Sequence, residues 1–261
     1  MNISLKGKTA IVCGSTQGIG LAIAKEFALS GANCILFARN EEKLKQVISN
    51  LDKSNDQHHD FKVVDFSDTA LVKQVIMEIV NARSVEILVN NTGGPAPGPI
   101  LESEESAFVD AFNQHLICNQ ILTQAVIPGM KKAGYGRIIN IISTSVKIPL
   151  KNMGVSNTIR GAVASWAKTM SYELGAFNIT VNNILPGFTM TQRLESLIGT
   201  NAKRRGVSEE VIRAEMINDI PMKRFGQASE LAAVAAFLAS PAASYVNGVS
   251  IPVDGGKTGS L

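Results

Sequence analysis

A chain of 261 residues, 45% hydrophobic and 18% charged, is long enough for one large α/β domain with a real core and is not composed like a disordered protein. A formal charge of +3 is too mild to suggest a nucleic-acid partner, and the one compact basic cluster, Lys203-Arg204-Arg205, reads as a solvated surface. Cys13, Cys34 and Cys118 are scattered and form no CxxC pair, which argues against a disulfide framework or zinc site and leads us to expect a reducing, cytoplasmic setting.

Folded-looking sequence starts almost at once with "LKGKTAIVCG", so no signal peptide is expected. The longest apolar run, residues 231–239, is too short to cross a bilayer, so no membrane partner is expected. His58 and His59 lie in a polar stretch, "NDQHHD", and no metal is expected there.

In chain order, strands are predicted at 9–14, 33–38, 61–66, 86–91, 137–143, 179–185 and 249–254. Amphipathic helices fall between them at 18–30, 41–51, 68–82, 104–132, 154–176 and 228–239. Largely apolar strands alternating with helices indicate a parallel sheet covered on both faces, hence a single doubly wound α/β domain over 1–261 with seven parallel strands. Residues 189–220 interrupt this alternation, and an insertion of that length reads as lid-like.

"CGSTQGIGLAIAKEF" (13–27) follows the first strand and opens a helix. Gly14, Gly18 and Gly20 allow a tight turn and a close approach to a diphosphate seated on the helix N-terminus, although an ordinary glycine-rich connection would read the same way. At the end of the second strand Ala38 occupies the place of a ribose-binding carboxylate and Arg39 follows. That exchange accommodates a 2′-phosphate, so NADP(H) is expected over NAD(H). Asp65 is predicted to end the third strand, where it could face an adenine edge.

Taken with "NNTGG" (90–94), "ILPGFTMT" (184–191) and the tail "RFGQASELAAVAAFLASPAASYVNGVSIPVDGG", the turn resembles the short-chain dehydrogenase/reductase family, closest to 3-oxoacyl-acyl-carrier-protein reductases. The resemblance runs over nearly the whole chain and implies a Rossmann-type fold. It also implies a cofactor lining of Gly14, Ser15, Thr16, Gly18, Ile19, Gly20, Arg39, Asp65, Phe66, Asn91, Gly93, Ile142, Arg160, Pro186, Gly187 and Thr189. A small-molecule or acyl-carrier-bound carbonyl substrate and a homodimer or homotetramer follow from the same likeness.

The family's reductases act through Asn, Ser, Tyr and Lys. "GRIINIIS" places the serine at Ser143, and counting back from Pro186-Gly187 places the lysine at Arg160 and the tyrosine at Ser156. The asparagine position falls on His115, so only Ser143 survives of the four. Tyr135, Tyr172 and Tyr245 are the other candidates for a phenol, but Tyr172 stands ~24 Å beyond Ser156 along one helix. Arg160 keeps a charge yet cannot shuttle protons, and a serine hydroxyl is a far weaker acid than a phenol. His115, with an ordinary pKa near ~6.5, offers either a proton relay or a packed histidine. Lys147 and Lys151 could overhang the substrate or stay solvated; Arg193 could meet a substrate anion or a surface carboxylate. Two functions remain open: a reductase with an altered proton donor, and a nucleotide-binding protein without turnover acting as sensor or silent subunit. A hydrolase built on Ser143 and His115 lacks the nucleophile elbow that such chemistry uses.

Overall fold

A computed structural model describes residues 2–260. Seven strands, β1 (Thr9–Cys13), β2 (Asn33–Ala38), β3 (Asp60–Val63), β4 (Ile87–Asn90), β5 (Gly136–Ile141), β6 (Ile179–Pro186) and β7 (Ser250–Val253), form one sheet. The order is β3-β2-β1-β4-β5-β6-β7 and every pairing is parallel, as the alternating pattern predicted. Strand order reverses between β1 and β4, and a crevice at that point is where this architecture places ligands.

Successive residues of each strand feed opposite faces, so two cores form. Ala10, Val12, Leu36, Val89, Ile139 and Ile184 pack with α1 (Gly18–Leu29), α2 (Glu41–Ser49) and α9 (Ala228–Ala239). Their neighbours Ile11, Cys13, Ile35, Phe37, Leu88, Ile138 and Val181 pack with α3 (Thr69–Ala82), α5 (Cys118–Ala133) and α6 (Gly154–Leu174). Burial raises the pKa of all three cysteine thiols, which leaves them un-ionised core residues.

Three expectations need correction. The long helix predicted at 104–132 is broken into α4 (Glu105–Phe112), a π-helical turn (Asn113–Ile117) and α5. Hydropathy does not register such a break, because a π turn keeps the backbone helical while shifting the hydrogen-bond step. β3 stops at Val63, so Asp65 lies beyond the strand in a turn where its carboxylate accepts the Ser67 amide. β5 stops at Ile141, and Ser143 caps the 3-10 turn Thr144–Val146 instead of ending a strand. The insertion at 189–220 contains two helices, α7 (Gln192–Arg205) and α8 (Glu209–Asn218), which bury Leu194, Ile198, Ala202 and Ile212 between them and the neighbouring Ile220 and Phe225. Its ends are drawn together where Met190 donates to Gly226 and Gly226 to Phe188.

Inside the sheet, three buried asparagines stand in one register row: Asn90 opposite Asn140, and Asn140 opposite Asn183. Asn90 Nδ2 donates to Asn140 Oδ1 at 2.8 Å, Asn140 Nδ2 to Asn183 Oδ1 at 2.9 Å, and Asn183 Nδ2 to Ser250 Oγ at 3.0 Å. The ladder pairs the side-chain donors of all three asparagines, leaves Asn90 Oδ1 without a partner among the described residues, and fixes the register of four strands. Asn140→Leu leaves a donor on Asn90 and an acceptor on Asn183 unpaired, so urea denaturation should show a loss of roughly 2–4 kcal/mol. A loss below ~0.5 kcal/mol would remove the ladder from the forces that hold the sheet.

Candidate active site

The nucleotide end is built around two backbone constraints. Gly14 and Gly18 have φ of 60° and 54°, the left-handed region that favours glycine. A Cβ on Gly20 would run into the Gly14 carbonyl oxygen and stand 2.7 Å from Asn91 Nδ2. Asn91 itself donates to the carbonyls of Cys13, at 3.1 Å, and Gly14, at 3.4 Å, and so ties the end of β4 to the turn after β1. Ser15 is buried and donates to the Phe37 carbonyl, which sets the turn against β2.

The N-terminus of α1 opens without a side-chain cap on Gln17 and without an acidic residue in its first turn. Thr16, Ile19 and the other residues of this turn therefore present amide donors and the positive helix end, a donor set that fits a diphosphate. Arg39 is exposed just past β2, and its charge helps to lower the Asp65 pKa, a smaller effect than the backbone hydrogen bond from Ser67. With Ala38 in the carboxylate's place, this corner fits a 2′-phosphate. Phe66 is half-buried after β3, and Gly93 is exposed beyond β4. Ile142 and Thr189 are buried, and Thr189 donates to the Gly187 carbonyl. A Cβ on Gly187 would collide with Asp254, so the Pro186-Gly187 turn packs directly on the chain after β7.

Ser143, Ser156, Arg160 and His115 occupy the C-terminal side of β5 and the helices that cover it. Ser143 Oγ accepts the Ser145 amide at 3.1 Å, which leaves its own proton free to donate. Ser156 is buried in the first turn of α6, just after a backbone seal in which Gly98 donates to Asn152 and Gly154 donates to Gly98. Arg160 is buried one turn further on and donates to the carbonyls of Ile141, at 3.1 Å, and Thr92, at 3.5 Å. Its guanidinium thus pins α6 to the chain just past β4 and to the end of β5.

His115 sits in the π-helical turn, 1% exposed, with Nδ1 sharing a hydrogen bond with Thr92 Oγ1 and Nε2 buried without a partner. Burial, then the nearby charges of Arg160 and Arg193, push its pKa down to about 2. Of the two readings open for His115 the packed histidine agrees with this placement, and burial keeps its imidazole uncharged at neutral pH. Thr92 is the residue that sequence reasoning missed. It lies inside the quoted "NNTGG", but the sequence carries no sign that it pairs with His115.

The remaining candidates fall away from the site or change role. Tyr172 is 78% exposed late in α6 and Tyr245 is fully exposed, while Tyr135, just before β5, donates to Ala239 at the opposite edge of the sheet. Lys147 and Lys151 are exposed. Arg193 forms no ion pair among the described residues; it donates to Gly94 and Pro95. His59 accepts the Cys34 amide, and no group of residues that could hold a metal ion occurs among the described residues.

The His115 environment has a pH signature. Its imidazole is neutral in the folded protein down to about pH 2 but takes a proton near pH ~6.5 when unfolded. Below pH ~6.5 the unfolded state binds the extra proton, so stability falls with pH at up to ~1.4 kcal/mol per pH unit. Between pH 7.5 and pH 5.5 the His115→Asn variant should lose about 1 kcal/mol less than the parent in paired urea titrations. Parallel slopes for the two proteins would place His115 in contact with water.

Comparison with known proteins finds relatives over nearly the whole chain. A family model described as Enoyl-(Acyl carrier protein) reductase matches residues 14–258. NADPH-dependent reductase BacG of Bacillus subtilis is 32% identical across 97% of this chain and 99% of its own. The 3-oxoacyl-[acyl-carrier-protein] reductase FabG of Pseudomonas aeruginosa is 34% identical across 97% and 98%. Among solved structures, L-sorbose reductase from Gluconobacter frateurii, complexed with NADPH and L-sorbose, superposes with a TM-score of 0.93 at 30% identity, covering 100% of both chains. The glycine turn, the parallel sheet and these full-length matches lead to one conclusion: the chain belongs to the short-chain dehydrogenase/reductase family.

Proposed function

We propose that this protein is an NADP(H)-dependent oxidoreductase that interconverts a carbonyl and a hydroxyl on a small-molecule or acyl-carrier-bound substrate, using a non-standard active site. The observation that carries the reading is an intact nucleotide corner, Gly14, Gly18, Gly20, Asn91 and Arg39, beside a Ser143 whose proton is free to donate. The NADPH dependence of relatives such as BacG supports the choice of cofactor. When bound, the nicotinamide supplies or accepts the hydride. Ser143 orients the substrate oxygen by donating to it, and the Arg160 charge favours negative charge growing there. The residues 14–20, locked by Asn91, hold the diphosphate, and Arg39 meets the 2′-phosphate. α7 and α8 act as a lid over the substrate. We also place the protein in the cytoplasm as a homodimer or homotetramer, as the family likeness implies; no described helix is long and apolar enough to cross a membrane.

A second reading, nucleotide binding without turnover, is favoured by one observation. His115 is held neutral and Arg160 is committed to two backbone carbonyls, so neither resembles an acid poised near pH 7. The readings separate in two measurements. In nicotinamide-fluorescence titrations, Arg39→Ala should weaken NADPH by about tenfold, the loss of one charge-assisted contact, and leave NADH nearly unchanged. In a carbonyl-reduction screen, turnover should scale with protein and fall about a hundredfold in Ser143→Ala. Tight NADPH binding with no turnover on any carbonyl selects the second reading, and equal weakening of both cofactors by Arg39→Ala refutes the NADP(H) assignment.

A further inference from the structure

Three arginines of the lid and its flank are paired with carboxylates, and Arg204 donates to the Asn201 side chain. Arg205 grips Glu215, Arg213 grips Glu195 and Arg224 grips Glu230. Arg193 grips no carboxylate among the described residues; its guanidinium reaches the carbonyls of Gly94 and Pro95 at 3.1 and 3.3 Å. It stands in the first turn of α7, where the positive end of the helix dipole disfavours a cation. Nothing in the fold of α7 asks for a positive charge at that place.

Arg160 approaches the same loop from the other side. It is buried, has no carboxylate partner among the described residues, and reaches the Thr92 carbonyl at 3.5 Å. Burial and the charge of Arg193 push its pKa down to about 10, so the two cations are close enough to repel. Between their attachment points lies Gly93, exposed, where an added Cβ would meet nothing within 4 Å. Arg160 is a buried cation and Arg193 an exposed one, neither with a counter-charge among the described residues, and an anion arriving from solvent would offset both charges at once.

We propose that the substrate carries an oxyanion, a carboxylate or a phosphate, that docks with Arg193 and Arg160 over the Thr92–Pro95 loop. The assignment rests on the oxidoreductase reading, because it names the class of substrate for that site. Arg193 belongs to the lid and the loop to the C-terminal end of β4, so the same ion would bridge the two and hold the lid closed over the reacting carbon. Neutral sugars, steroids and esters lack the group that this pair of guanidiniums recognises.

The test compares matched probes on the full chain, with and without NADPH. Pyruvate, acetoacetate and levulinate are each paired with their methyl ester, and dihydroxyacetone phosphate with dihydroxyacetone; binding is read by calorimetry and thermal shift. At least one charged probe should bind about tenfold tighter than its neutral partner, the worth of one charge-assisted contact. That preference should fall below about threefold in Arg193→Gln and persist in Arg213→Gln, with NADPH affinity unchanged in both. Preference for acids over the phosphate, or the reverse, tells which oxyanion is used. Neutral probes that bind as well as charged ones in every pair, or a preference that survives Arg193→Gln, overturn the proposal. Failure of NADPH to bind refutes the oxidoreductase reading instead, and the probe comparison on the unloaded protein still reports on the arginines.

Discussion

The contact among Gly14, Gly20 and Asn91 is the constraint on which the nucleotide end depends. A parallel strand can feed a helix in three or four residues only if the turn folds tightly back on itself, and here the fold-back leaves no room for even one methyl group. Asn91 then locks the turn from the neighbouring strand by donating to the Cys13 and Gly14 carbonyls. With those carbonyls occupied, the turn offers solvent its amide face and the positive end of α1, which is what an anionic ligand needs. The ligand preference of this corner is thus a consequence of how the backbone had to close.

The same economy operates at the chemical end, where polar groups are spent on holding elements together. The Asn90–Asn140–Asn183 row fixes β4, β5 and β6 in register. Arg160 then attaches α6 to the last carbonyl of β5 and to Thr92 beyond β4. A lysine has one compact ammonium, whereas the planar guanidinium can span two carbonyls from different strands. If Arg160 stands at the family's lysine position, as the sequence reading has it, the exchange gains a tether for α6 and gives up a group able to exchange protons near neutral pH.

Much of this was legible in the sequence, and the pattern of success follows the physics. Apolar β-branched runs such as "TAIVC" and "NCILFA" can only be buried strands, so the seven-stranded parallel sheet was readable. Gly14, Gly18 and Gly20 were readable because left-handed or crowded backbone demands glycine. Strand ends were less so: Asp65 and Ser143 continue an apolar run but leave the ladder to satisfy local turns. The π turn at 113–117 was invisible, since hydropathy is blind to which carbonyl each amide chooses. His115 was left open between a relay and a packed histidine, because desolvation and two guanidiniums brought in by distant segments are tertiary facts. Thr92 gained meaning only when the fold set it beside His115, and Arg193, already read as facing a substrate anion or a surface carboxylate, was placed against Gly94 by the fold alone.

These electrostatics bear on where a proton for carbonyl reduction would come from. Protonating His115 at pH 7 against a pKa of about 2 would cost roughly 7 kcal/mol, too much for a general acid to repay. An oxyanion bound at Arg193 and Arg160 would offset two of the three causes of that depression, but burial is the largest and would remain. Under the oxidoreductase reading, His115 therefore stays neutral with substrate in place and acts by position, holding Thr92 beneath the loop. Ser143 can orient an oxygen but is too weak an acid to protonate it unaided. The proton then reaches the alkoxide from water, and the Ser143 hydroxyl stabilises the alkoxide by donating to it until the proton arrives.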